Sequence, residues 1–108
     1  MIDDTTPNRK EGARMQLGTF RIENPIVLAP MAGVTDWAYR CIAASLGADI
    51  TVTEMVSSRA LVYHDKKSLS LLRKTDAGIC GAQIFGNDPS VMAEGAALAV
   101  AIIEELRR

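Results

Sequence analysis

Apolar and polar positions along the chain fall into three successive units, each a short apolar run followed by a stretch with helical spacing. The four apolar residues at 26–29, set between turn-forming residues, read as a strand buried on both faces, the kind found in parallel sheets covered by helices. Pro30 cannot donate to a sheet ladder and Gly33 tolerates unusual backbone angles, so residues 30–33 form a loop at the strand's carboxyl end. Ligands bind at that end in α/β folds. Thr35 is expected to cap a helix with Asp36 in its first turn. Ala38, Cys41, Ile42 and Leu46 lie on one helical face, and Gly47 supplies the C-cap.

The β-branched run at 50–55 is the second strand. Two short helical pieces follow at 57–64 and 65–73, the second capped by Asp65. A turn at 75–78 leads to the third strand, 79–85, with Gly86 at its end. Asp88 caps the last helix and Pro89 opens it, because the missing N–H of proline is harmless at the first helical position. That helix runs from Pro89 almost to Arg108, with an apolar face of Met92, Gly95, Ala96, Ala99, Ile102, Ile103 and Leu106 in which small residues permit close packing on a sheet. Ahead of the first unit, residues 17–22 alternate apolar and polar around a glycine turn and predict a small antiparallel ribbon. Right-handed crossovers then make the strands at 26–29, 50–54 and 79–85 parallel and adjacent, within either an open doubly wound sheet or part of a TIM barrel.

Composition narrows this picture mainly by exclusion. At 108 residues, 48% hydrophobic and 23% charged, the sequence fits one globular domain at most. A net charge of -1 and a pI near 5.8 give no electrostatic footprint for nucleic acid or an anionic membrane, although they do not exclude RNA. Cys41 and Cys80 form no C-x-x-C pair, so a disulfide scaffold or zinc site has no support and a cytoplasmic setting is the default. Residues 1–14 are polar, lack the apolar core of a signal peptide, and read as a flexible tail before a domain at 15–108. No stretch approaches the roughly 20 apolar residues of a membrane span.

Several strings together carry a resemblance. Asn24-Pro-Ile-Val-Leu-Ala-Pro-Met-Ala-Gly-Val-Thr-Asp36, Thr53-Glu-Met55, the stretch from Lys67 to Leu72, and Gly81-Ala-Gln-Ile-Phe-Gly86 with Asp88-Pro89 resemble the N-terminal part of the tRNA-dihydrouridine synthases. The likeness runs from about residue 15 to 100. It implies a (β/α)8 TIM barrel with FMN at the carboxyl ends of the strands, NADPH as reductant, tRNA as substrate, and a product in which uridine has become dihydrouridine. By the same resemblance Pro30, Met31 and Ala32 line the FMN ring, and Gln83 is the third-strand glutamine that hydrogen-bonds the flavin. The chemistry is sensible, since an isoalloxazine needs a flat apolar wall and an amide that donates and accepts at once. Gly33 and Gly86 are expected to keep the approach free of side chains.

A full barrel takes about 250 residues, so the chain is expected to be a fragment holding about the first three of eight βα units. The family's Gly-Cys-Pro motif, whose cysteine supplies the proton, is absent. Neither Cys41 nor Cys80 is followed by proline or sits at a strand's carboxyl end, so no catalytic residue and no metal ligand is assigned. Open strand edges predict self-association or poor stability of the chain alone. Each residue also has a plainer role: Met31 as core packing, His64 as a solvated helix end, Glu54 as a paired carboxylate, and Lys66, Lys67 and Arg73 as a solvated face. Two other functions stay open: a flavin-barrel oxidoreductase of the dihydroorotate dehydrogenase kind, sharing the looser Asn-Pro-x-x-x-Ala-Pro-Met pattern, and a non-catalytic, self-associating α/β module.

Overall fold

A computed structural model describes residues 15–22 and 25–106, so the tail expected at 1–14 lies outside the described residues. β1 (Met15–Leu17) and β2 (Phe20–Ile22) form the expected antiparallel ribbon. Leu17 faces Phe20 across a two-residue loop, and Gly18 takes the first loop position at φ 58, where a hairpin turn of this length demands glycine. The chain continues through β3 (Val27–Leu28), α1 (Trp37–Ser45), β4 (Ile50–Val52), β5 (Val56–Ser57), α2 (Ser58–Val62), α3 (Lys66–Ser70), β6 (Ile79–Gly81), β7 (Ile84–Phe85) and α4 (Pro89–Leu106). β3, β4 and β6 are parallel neighbours in that order, as the crossover rule requires.

The strands are shorter than the sequence predicts, for a local reason. Val52 faces Gly81. Val56, four residues on, faces Ile84, only three residues beyond Gly81. One extra residue therefore sits between β4 and β5, and the expected strands at 50–55 and 79–85 each split into two ladders. The break is held by the Thr53 hydroxyl, which accepts the Gln83 N–H at 3.1 Å. The Thr53 N–H donates to Gly81 at 2.8 Å and the Val56 N–H to Gln83 at 2.9 Å. The bulge reverses which face Val56 presents.

Helix ends follow side-chain chemistry. The cap of α1 is Asp36, whose carboxylate accepts the Tyr39 N–H at 2.8 Å; Thr35, the expected cap, is turned inward. Past the other end, the Gly47 N–H reaches Ala44 and the Ala48 N–H reaches Ala43, with Gly47 at φ 115, a Schellman closure. His64 closes α2 in the same way at φ 56, and Asp65 then caps α3 through Ser68. Pro89 opens α4 as expected, with Asp88 accepting from the Ser90 N–H at 3.0 Å.

The core gathers Val56, Leu61, Leu72 and Ala99, with Ala82, Ile84, Ile102 and Ile103 packed against it. α4 lies so close to α2 that a Cβ on Gly95 would sit 2.8 Å from Ser58 Cβ. Elsewhere the expected burial is missing. Ile42 is 61% and Leu46 83% exposed, and Val27, placed in a doubly buried strand by its sequence, is 51% exposed. The face of α1 turned inward carries Trp37, Arg40, Cys41 and Ala44 instead, because Arg40 has acceptors there and the aliphatic stripe has nothing to pack on. No described helix is long and apolar enough to cross a membrane.

Two outcomes follow from this packing. Gly95→Ala gains helix propensity but overpacks Ser58, and the net loss is about 1–2 kcal/mol, read as a lowered midpoint in urea unfolding. Sedimentation velocity on the 108-residue chain should show association at micromolar concentration through the exposed aliphatic surface; a dilute monomer that unfolds cooperatively would contradict it.

Candidate functional site

Parallel strands leave their carboxyl ends on one edge of a sheet, and there the chain assembles its polar loops. After β3, residues 31–35 fold into a compact turn. The Thr35 hydroxyl accepts the Met31 N–H at 2.9 Å and donates to the Met31 carbonyl at 3.2 Å. The N–H groups of Val34 and Thr35 converge on the same carbonyl, each at 2.9 Å. Gly33 supplies the positive φ of 77 that the turn needs. Met31 is thereby locked through its backbone while its side chain, 41% exposed, faces outward beside exposed Ala32 and half-buried Pro30.

Glu54, just past β4, ties this loop to the sheet by accepting the Gly33 N–H. Its role is thus the paired carboxylate. Gln83, just past β6, spends its backbone on Thr53 and Val56 and leaves its carboxamide exposed and free of hydrogen bonds among the described residues. β3 and β6 flank β4, so the Met31 loop and Gln83 stand two strand spacings apart, about 10 Å. Ala82 and Ile84 pack into the core, which turns Gln83 to the opposite face. Cys80 shares the core-side alternation.

Arg40 is the functional-site neighbour that the sequence does not announce. It is 1% exposed and no carboxylate pairs with it among the described residues. Its Nε donates to Thr35 at 3.2 Å, Nη1 to Arg73 at 2.9 Å and to Cys80 Sγ at 3.4 Å, and Nη2 to Leu71 at 3.4 Å. Three of these acceptors are backbone carbonyls, and Leu71 is the C-cap of α3, where the helix dipole is negative. Outside it, the Arg73 guanidinium lies 3.6 Å over the Trp37 ring, and Trp37 Nε1 donates to Lys74 at 3.0 Å. The one sequence signal for Arg40 is its place three residues after Trp37, on the buried side of α1.

One expectation is corrected. Gly86 does not hold a ligand approach open: a Cβ there would meet the Ser58 hydroxyl and lie 2.9 Å from Met92 Sδ, so helix packing requires it. His64, Lys66, Lys67 and Arg73 are all exposed, as a solvated reading expects, and Arg73 also stacks on Trp37. Among the described residues no cluster of three or more His, Cys, Asp or Glu could hold a metal ion.

These features define an α/β protein whose parallel strands present a braced loop and a free carboxamide at their carboxyl edge. The profile of the family "Dihydrouridine synthase (Dus)" matches residues 27–105, and the chain belongs to that family. It is 44% identical over 87 residues to the tRNA-dihydrouridine synthase B of Pasteurella multocida, covering 80% of this chain and 26% of that one. Identity to the synthase B of Yersinia pestis is 41% over 88 residues, 81% of this chain and 27% of that protein. For Escherichia coli strain K12 it is 39% over 87 residues, 80% and 27% respectively. The chain thus spans about a quarter of the length of the curated relatives it matches. No solved structure matches it. The similarities favour neither a dihydroorotate dehydrogenase-like enzyme nor a non-catalytic module.

Arg40→Lys keeps the charge but cannot serve four acceptors, and should lower stability by about 1.5–3 kcal/mol, measured by urea denaturation. The caps give a pH signature. Hydrogen bonds from the Ser90 side chain and the Ser90 and Val91 N–H groups, helped by Arg59, hold the exposed Asp88 carboxyl below its usual value of 3.8. Bonds from Ser68 do the same for Asp65. A depressed carboxyl stabilises the fold above its unfolded pKa, and that contribution fades as pH falls through 3.8 and below. Asp88→Asn still caps α4, so thermal melts between neutral and acid pH should show a shallower fall for the variant.

Proposed function

We propose that the chain is the flavin-facing portion of a tRNA-dihydrouridine synthase: about the first three βα units of a (β/α)8 barrel that reduces uridine in tRNA, with FMN as cofactor and NADPH as reductant. The observation that carries this reading is the free Gln83 carboxamide, which stands at the same sheet edge as the backbone-locked Met31 loop. The family and the three parallel strands support it.

The residues present fit one side of a flavin. Pro30, Met31 and Ala32 offer an apolar wall whose position is set by Thr35 and by the Glu54 tie to Gly33. Gln83 can donate to and accept from the polar edge of a ring at the same time. The chemistry that a bound flavin supplies is hydride delivery to the uracil ring. This chain's own residues bind and orient. Thr53 fixes the direction of Gln83, Thr35 fixes Met31, and Arg40 holds Thr35. Neither cysteine fits the proton donor, because Cys80 accepts from Arg40 on the face opposite Gln83 and Cys41 lies within α1. Both are free thiols, in keeping with a cytoplasmic protein.

Since these residues provide only one wall, the 108-residue chain should bind FMN weakly and form no measurable dihydrouridine on unmodified tRNA with added FMN and NADPH. In a protein of family length carrying these residues, Gln83→Ala removes hydrogen bonds to the ring and leaves the strand's apolar neighbours intact. About tenfold weaker FMN binding is expected, with an unchanged melting temperature for the flavin-free protein. Flavin content per folded protein and dihydrouridine yield check both halves; turnover by the short chain, or full flavin content in the variant, overturns the reading.

A further inference from the structure

The two outer strands of the three-stranded sheet, β3 and β6, have no further strand beside them among the described residues. The Ile26 carbonyl accepts from Asp49 and Ile50, the Ile79 N–H donates to Asp49, and the Gly81 carbonyl accepts from Thr53, so all three turn toward the β4 segment. Alternation then aims the N–H and C=O of Val27 outward from one edge, and those of Cys80 outward from the other. An open edge of this kind is a template for another chain. Each edge is flanked by an aliphatic helix surface. On α1, Ile42 and Leu46 lie opposite Arg40 around the helix, and Arg40 reaches toward α3 and β6. The exposed pair therefore belongs to the β3 flank. On α4, Gly95 meets α2, and the side turned away from α2 carries Ala96, Val100 and Ile103. With Ala99, Cys80 and Ala82 among others, these line a concavity of about 410 Å³ on the β6 flank.

We propose that the chain assembles head to tail with copies of itself: the β3 edge of one copy pairs in parallel with the β6 edge of the next, and Ile42 and Leu46 of the first seat in the α4 groove of the second. Polarity agrees, because β3, β4 and β6 already run parallel and a second copy continues the sheet in the same direction. The layers agree as well. Cys80 touches Arg40 of α1 and also lines the α4 groove, so both helices cover the same face of the sheet. A copy that adds its β3 beside β6 therefore brings its α1 over the groove, and the exposed side of that α1 is the one that faces α4. Projection meets hollow, and apolar surface meets apolar surface. A two-fold dimer would bring like edges together, groove against groove, and leave Ile42 and Leu46 without a hollow to fill. The assembly stands apart from the flavin reading, and failure of either leaves the other untouched.

The test is sedimentation velocity on the 108-residue chain and on variants that block one flank each. Ile42→Lys with Leu46→Lys blocks the α1 side, and Val100→Lys blocks the groove; all three positions are exposed, so the fold is kept, which circular dichroism checks. The unaltered chain should form species beyond a dimer at micromolar concentration, because a head-to-tail contact always leaves a free end. Either variant alone should associate at least about tenfold more weakly. An equimolar mixture of the two should give a one-to-one dimer and nothing larger, since each supplies the flank that the other has lost. Val27→Pro removes the outward N–H of β3 and leaves Ile42, Leu46 and the groove intact; it should behave as the α1 variant does. Hydrogen exchange gives an independent reading: the Val27 and Cys80 amides should gain protection as the concentration of the unaltered chain rises. A chain that stays monomeric or stops at a dimer, a blocked variant that associates as strongly as the unaltered chain, or a mixture no larger than its parts overturns the head-to-tail assembly.

Discussion

A single buried guanidinium sets the geometry on which the rest depends. Arg40 leaves water without a carboxylate partner and is held by the backbone carbonyls of Thr35, Leu71 and Arg73 and by the Cys80 sulfur. Those acceptors belong to four pieces of chain: the loop after β3, the end of α3, the segment behind it, and β6. Desolvating a cation is expensive, so the acceptors must all be in place at once. The same bonds fix Thr35, and Thr35 in turn locks Met31 at the carboxyl edge of the sheet. The buried cation and the loop at the sheet's carboxyl edge are therefore one network, and Trp37 with Arg73 closes it from outside.

The second constraint is the bulge at Thr53. A regular ladder running from β4 into β5 would have turned Val56 away from the core; the extra residue returns it to the side of Ala82 and Ile84 and frees Gln83 to face outward. The hydroxyl of one threonine replaces a ladder acceptor at the point where the two ladders separate. Beyond it, Gly86 and Gly95 let α4 approach Ser58 closely.

The aliphatic surfaces of α1 and β3 show the other side of this economy. Ile42, Leu46 and Val27 are patterned for burial, yet the chain gives them nothing to pack on. The relatives are about four times as long as the part matched here. In the proposed barrel those faces would be covered by elements from the remaining length, which accounts for a sequence more apolar in places than its own fold requires.

The elements themselves were legible in the sequence because their causes are local. The apolar runs mark three parallel strands, Asp65, Asp88 and Pro89 mark helix starts, Gly18 marks a hairpin, and the Ala-Pro-Met-Ala-Gly-Val-Thr-Asp string marks the family. What the sequence could not reveal depended on distant partners. Asp36 rather than Thr35 caps α1, since Thr35 is drawn to Met31 by the loop's closure. Arg40 rather than Ile42 is buried, since carbonyls from residues 31 or more positions away collect around it. Gly86 serves Ser58 and Met92 rather than a ligand, and the strands break where Thr53 meets Gln83. Periodicity records which residues suit burial or a turn; only the assembled fold decides which acceptors, and which neighbouring surfaces, are there to meet them.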